Sequence, residues 1–203
     1  MSSRGDLARS AVVLAGGRSS RMGRAKAALE IGGTTLLART LEELGCCFED
    51  IVVVVSRGGA HLIPASSKAR VVFDEIDYEG PVTALARGLD AIRADAAFAC
   101  SCDLPMLDAR VIAALCGRLG GCDAVIPIVG GKLQPLHAVY RRRCAAALRA
   151  MLARGERRLS AIAGAVNALE ISENELRALD PELRSFFNLN TPEDYVRARA
   201  LMR

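Results

Sequence analysis

In 203 residues the chain has no tryptophan, two histidines, three tyrosines and three lysines. With five phenylalanines and no basic run longer than Arg141-Arg142-Arg143, it lacks the stacking platform and cationic stripe that hold nucleic acid, so no such partner is expected. No apolar stretch approaches the ~18 residues of a membrane span. The run after the polar segment Met1 to Ser10 extends only from Ala11 to Ala15 before Gly16-Gly17, too short for a signal-peptide core. No membrane contact and a cytoplasmic location are the expectations. Seven cysteines (46, 47, 100, 102, 116, 122 and 144) make an odd count without a CxxC pair. Neither a disulfide framework nor a zinc site is indicated, and reduced thiols are expected. Internal repeats, low-complexity tracts and linkers are also missing, so one domain over 1–203 is expected, long enough for a full core.

What the chain does have is 51% hydrophobic and 25% charged residues, close to the globular average. A net charge of +4, from 27 basic and 23 acidic residues, suits a small anionic substrate. Short apolar runs recur at Ala11 to Ala15, Ile51 to Val55, Arg70 to Phe73, Ala96 to Cys100 and Ala124 to Ile128. Uniformly apolar runs of this length read as parallel strands buried on both faces. Between them, Thr35 to Leu44, Val82 to Ile92 and Asp108 to Leu119 carry helical stripes. Strand alternating with helix predicts an α/β doubly wound sheet. Gly130-Gly131 then predicts a reversal into Leu136 to Tyr140 as an antiparallel strand, which makes the sheet mixed. Further helices are expected at Arg143 to Leu152 and at Pro192 to Leu201, the latter with Thr191 as N-cap, Pro192 at N1 and Glu193 and Asp194 in the first turn.

The segment AVVLAGGRSSRMGRAKAAL (Ala11 to Leu29) is the most informative. A strand empties into a turn with Gly16, Gly17, Ser19, Ser20 and Gly23, studded with Arg18, Arg21, Arg24 and Lys26. Glycines let backbone N–H groups approach phosphate oxygens, and the cations neutralise them. The bland reading is a flexible polar connection. It is not a Walker A loop, because five residues separate Gly17 from Gly23 and Lys26 is followed by Ala27. It is not the dinucleotide fingerprint either, since Arg18 stands where the second spaced glycine belongs.

The loop resembles the LAGGxSxRMGxxK signature of nucleotidyltransferases, most closely the molybdenum cofactor guanylyltransferase family. DYEGP (77–81), CDLP (102–105), QPLHAVY (134–140), GERR (155–158) and FFNLNTPEDY (186–195) extend the likeness over nearly the whole chain. The resemblance implies an α/β, Rossmann-like three-layer nucleotidyltransferase fold with a mostly parallel mixed sheet. It also implies transfer of GMP from GTP to the terminal phosphate of molybdopterin or molybdenum cofactor, with pyrophosphate leaving. Mg²⁺ is the implied cofactor, and molybdenum-insertion proteins or apo-molybdoenzyme chaperones are the implied transient partners. LAGG at Leu14-Ala15-Gly16-Gly17 leans to GTP, where the cytidylyltransferase relatives look like LAAG. A CTP-dependent enzyme, a different small phosphate acceptor, or a nucleotide-binding regulator without chemistry are the alternatives.

Asp103 follows the run Ala96 to Cys100, at the strand edge where open α/β sheets bind ligands. A hard Mg²⁺ ion takes one or two carboxylates plus phosphate oxygens, which suits Asp103 beside a triphosphate. The other reading is an Asp that ties down the turn before Pro105. The family pattern makes Asp74 a nucleotide-site residue. Backbone N–H groups of Ala15 to Ser20 are expected to cradle the nucleotide, and Lys26 with Arg21 to offset charge on pyrophosphate. Their bland readings are a solvated lysine and a structural ion pair. Ser56 stands where the family often has Asn, and Gly80-Pro81-Val82-Thr83-Ala84-Leu85 departs from the usual GPLAGI. Asn188 and Asn190 either meet the acceptor or support the turn before Pro192, and Arg157 with Arg158 either fork onto its phosphate or stand solvated. His137 is not assigned proton transfer. Cys100 and Cys102 read as small buried thiols.

Overall fold

The computed structural model describes residues 8–16, 26–74 and 80–202. In chain order these form β1 (Ser10–Leu14), β2 (Glu30–Ile31), β3 (Thr34–Thr35), α1 (Leu36–Gly45), β4 (Asp50–Ser56), β5 (Arg70–Asp74), α2 (Pro81–Ala91) and β6 (Ala96–Ser101). Then come α3 (Ala109–Gly117), β7 (Ala124–Val129), β8 (Lys132–Leu133), β9 (His137–Arg141), α4 (Cys144–Ala153), β10 (Ala168–Ile171), α5 (Glu173–Arg177) and α6 (Pro192–Leu201).

The large sheet runs β10-β7-β9-β6-β1-β4-β5, with β8 paired to β7. Strands β6, β1, β4 and β5 are mutually parallel, and β10 is parallel to β7. Antiparallel β9 is inserted between β6 and β7, so the expected mixed sheet is present and the run beginning at Leu136 is its reversed strand. Alternation along the strands builds two cores. On one face Val13, Val53, Phe98 and Cys100 pack with Leu37 and Leu41 of α1 and Val111 and Leu115 of α3. On the other, Val12, Val54, Ala99 and Ile126 pack with Leu85 and Leu89 of α2 and Leu148 and Met151 of α4. Helix, sheet and helix make the three layers. Because both faces are covered, β1 is buried throughout and reads as an unbroken apolar run from Ala11 onward.

Helix starts follow the side chains placed at them. Thr35 accepts from Ala38 N at 3.2 Å, Asp108 accepts from Arg110 N at 2.8 Å, and Thr191 with Asp194 forms a reciprocal capping box around Pro192 at N1. Helix α3 is shorter than the periodicity predicts, because Asp108 is its cap and Gly117 its last residue. The β2–β3 hairpin and β10 carry too few residues for a periodic signal. Among the described residues no helix is long and apolar enough to cross a membrane, and all seven cysteines are free.

Gly88 lets α2 lie close on the sheet: a Cβ there would collide with Val12 Cγ1 and stand 3.2 Å from Val54 Cγ2. Both valines are fully buried and stiff at χ1. Gly88→Ala should therefore lower stability by about 2 kcal/mol despite alanine's better helix propensity. Thermal unfolding checks this, and an unchanged or higher Tm would contradict it.

Candidate active site

The parallel strands end together. Leu14 pairs with Val54 and with Ser101, and Ser56 pairs with Asp74, so the carboxyl ends of β6, β1, β4 and β5 form one edge. Antiparallel β9 brings its first residue, His137, to the same edge opposite Cys100. A cavity of about 750 Å³ opens there, in the position expected for a ligand on an open α/β sheet.

Asp103 stands two residues beyond β6 and Lys26 begins the short turn after the glycine-rich loop. Lys26 Nζ donates to Asp103 Oδ2 at 2.7 Å and to Asn190 Oδ1 at 2.8 Å. Ser101 Oγ donates to the other Asp103 oxygen. Leu189 N donates to the Asp103 carbonyl at 2.9 Å, which lays the Asn188–Asn190 segment alongside the carboxylate. Three sites separated by up to 164 residues in sequence thus meet at one ion pair. The Asp103 and Lys26 side chains are 14% and 26% exposed, dry enough for their charges to act strongly on an anion but open to one arriving through the cavity.

One half of the cavity is walled by Leu14, Ala15, Gly16, Ser56 and Asp74 from β1, β4 and β5. Gly80, Pro81 and Ala84 add the N-terminal turn of α2, whose partial positive charge favours an anion. Gly80 has φ +98°, a conformation that side-chain-bearing residues resist, which accounts for glycine in the GP pair. Arg87 of α2 lies 3.6 Å from the Asp74 carboxylate. Of the residues that depart from the family pattern here, Ala84 faces the cavity, and Val82, Thr83 and Leu85 are buried.

One expectation is corrected. The Ala15 N–H is already donated to Val54 O at 2.9 Å, so Ala15 supplies cavity wall and not a phosphate donor. Gly17 and Arg21 lie outside the described residues, as does the rest of the loop from 17 to 25.

The other half is lined by Gln134, Pro135, Leu136 and His137 before and at β9, by Arg158 to Ser160, and by Phe186 and Asn188. Asn188 lines the cavity. Asn190, exposed and outside that lining, accepts a hydrogen bond from Lys26 Nζ. Arg158 lines the cavity with its guanidinium forked on Glu156 at 2.8 and 3.1 Å, and this pairing holds the Glu156 carboxyl well below the usual range. Arg157 is not among the lining residues, so only one of the two arginines lines the cavity. Ser101 and Phe186 were not foreseen, since neither residue type signals chemistry alone.

Burial pushes the Cys102 thiol up to about 12, with Asp103 adding to the shift, and raises Cys100 further. Both are neutral thiols without nucleophilic character. Burial likewise drives His137 down to about 3, so its ring is uncharged at neutral pH. Among the described residues no group of three or more His, Cys, Asp or Glu could cage a metal ion. A lone carboxylate beside a cavity that can admit phosphate oxygens fits Mg²⁺, which takes few protein ligands and completes its coordination with substrate oxygens and water, better than Zn²⁺ or Ca²⁺.

This sheet order, with ligand space at the parallel edge, is the α/β nucleotidyltransferase architecture. It is shared with 2-C-methyl-D-erythritol 4-phosphate cytidylyltransferase from Thermus thermophilus at a TM-score of 0.69 over 94% of this chain and 97% of that one, at 18% identity. The chain belongs to the family of MobA-like NTP transferase domains, whose model matches residues 11–169. It is 31% identical to the molybdenum cofactor guanylyltransferase of Desulfosudis oleivorans, covering 95% of each chain. A relative from Methanosarcina mazei, named a probable molybdenum cofactor guanylyltransferase, is 34% identical over 92% of this chain and 88% of its own. The crystal structure of molybdopterin-guanine dinucleotide biosynthesis protein A from Archaeoglobus fulgidus superposes with a TM-score of 0.83 at 28% identity, covering 95% of this chain and 98% of that one.

Proposed function

We propose that this protein, as one catalytic unit over 1–203, transfers GMP from GTP to the terminal phosphate of molybdopterin or molybdenum cofactor and releases pyrophosphate. The observation that carries the reading is the Lys26–Asp103 pair set between the two halves of one cavity. An acceptor phosphate oxygen attacks the α-phosphorus as the bond to pyrophosphate breaks, and such a transfer asks the protein for alignment and charge neutralisation more than for a nucleophile. The half under β1, β4 and β5 holds GTP against Leu14, Gly16, Ser56 and Asp74, with Gly17 and Arg21 as further nucleotide and phosphate contacts from the loop. The half beside β9 takes the acceptor, with Asn188 and Arg158 as its polar contacts and Asn190 supporting the site through Lys26 from outside that lining. Lys26 exchanges its present partners for phosphate oxygens. Asp103 would hold Mg²⁺ together with triphosphate oxygens, and the ion, when bound, supplies charge neutralisation on the phosphates. The proposed setting is the cytoplasm, where seven free thiols persist, and the product passes to molybdenum-insertion proteins or apo-molybdoenzyme chaperones.

The deciding experiment is pyrophosphate release by the purified protein with Mg²⁺ and freshly prepared molybdenum cofactor, comparing GTP, CTP and ATP. Release with GTP alone is expected. Release with CTP alone would assign the cytidylyl reaction, and nucleotide binding without release would refute transfer to this acceptor.

A further inference from the structure

We propose that His137 and Ser185 are positioning residues for the acceptor half of the cavity: a buried polar node that sets where Phe186 and Asn188 stand beside Asp103. The inference rests on the division into nucleotide and acceptor halves drawn above.

Both residues are 1% exposed. The His137 ring meets Phe98 edge-on at 5.2 Å between centroids and lies against Phe186 at 4.2 Å. His137 Nε2 is 3.3 Å from Ser185 Oγ. That hydroxyl also accepts the Asp108 N–H at 3.2 Å, and the Ser185 N–H donates to the Asp180 carboxylate at 2.8 Å. Just upstream, Leu183 has φ +53°, the one non-glycine residue in the left-handed region among those described. Such a conformation persists only where surrounding contacts over-determine it. Just downstream, Phe186 lines the cavity, Asn188 donates to the Phe186 carbonyl, and Leu189 N bonds to the Asp103 carbonyl. The strap 183–190 is thus pinned at two places, by the node at one end and by the Asp103 backbone at the other.

A hydroxyl and an imidazole between two phenylalanines are costly to desolvate, and an apolar pair would fill the space without that cost. What the polar pair adds is direction: one hydrogen bond fixes the ring's rotation, and the ring supports the Phe186 face that walls the cavity. The node sits on β9's side of β6, whereas the GTP half is built on β1, β4 and β5. Its loss should therefore be felt by one substrate and not the other.

Calorimetric titration of molybdopterin, and separately of GTP, into the wild-type protein and into Ser185→Ala, His137→Phe and His137→Gln tests this. His137→Phe keeps an aromatic ring and removes Nε2, while His137→Gln can return an amide to the Nε2 position. Expected are about tenfold weaker acceptor binding in Ser185→Ala and His137→Phe, recovery to within roughly threefold of wild type in His137→Gln, and GTP binding altered by less than about twofold throughout. Unchanged acceptor affinity, or parallel loss for both ligands, would overturn the proposal. Pyrophosphate release by the wild type is measured alongside. Its absence with the acceptor split intact sinks the transfer reaction and leaves the node standing, whereas a wild type that does not bind molybdopterin sinks both.

Discussion

Asp103→Ala should lower kcat/KM for GTP-dependent pyrophosphate release by about 10³-fold or more, the scale at which losing a charge-stabilising group in a transition state is felt. The carboxylate is the acidic group that Lys26 and Ser101 converge on, and its removal would take away the proposed anchor for a metal-bound triphosphate. Raising Mg²⁺ should restore the rate only in part, because higher occupancy cannot replace the ligand that Asp103 is proposed to supply. The fold should survive. Leu189 bonds to the Asp103 backbone carbonyl, which alanine keeps, and the lost ion pair is partly solvated, so its contribution to stability is of order 1 kcal/mol. Pyrophosphate release across a Mg²⁺ titration, with thermal unfolding run in parallel, checks both halves. Wild-type rates at ordinary Mg²⁺ would remove Asp103 from its assigned role.

Much of the architecture is legible in the chain because it is written in local patterns. Ala11 to Leu14 is buried on both faces, so every residue is apolar and the strand announces itself. Thr191-Pro192-Glu193-Asp194 carries a cap, an N1 proline and first-turn acids, and α6 spans Pro192–Leu201 as that pattern predicts. Asp103 was also within reach, as an acidic residue just past a central strand. The meeting of Lys26 with Asp103 and Asn190 was not, because side chains 77 and 164 residues apart are brought together only by the sheet's strand order. The same holds for the contact of His137 with Ser185, 48 residues on. A strand histidine reads as an ordinary core residue until the antiparallel insertion of β9 delivers it to the ligand edge. The Ala15 amide misled for the opposite reason: a glycine-rich loop advertises free N–H groups, but the sheet ladder claims one residue more than the motif implies.

Lys26→Met should lower kcat by about 10²-fold while weakening GTP binding less, since the charge it is proposed to offset grows as pyrophosphate departs. Without ligand, Nζ is held by Asp103 and Asn190. A bound triphosphate would compete for the same three donor positions, and the lysine can turn to it because its stem is flexible and about a quarter exposed. Lysine is rare in this chain, three against twenty-four arginines, and a compact ammonium fits between two oxygens where a planar fork does not. Lys26→Arg should therefore restore little of the rate even though it restores the charge, and that contrast separates a positioned point charge from a general need for positive potential. Steady-state kinetics with GTP varied at saturating acceptor, beside direct GTP binding, provides the measurement. If arginine recovered full turnover, or if methionine affected only GTP affinity, the lysine would be a binding group and not part of the transfer step. Methionine also frees Asn190 from its cation, so a second consequence is expected at the other ligand: acceptor KM should rise in Lys26→Met and Asn190→Ala alike, and the double variant should lose less than the sum of the two, because both break one contact.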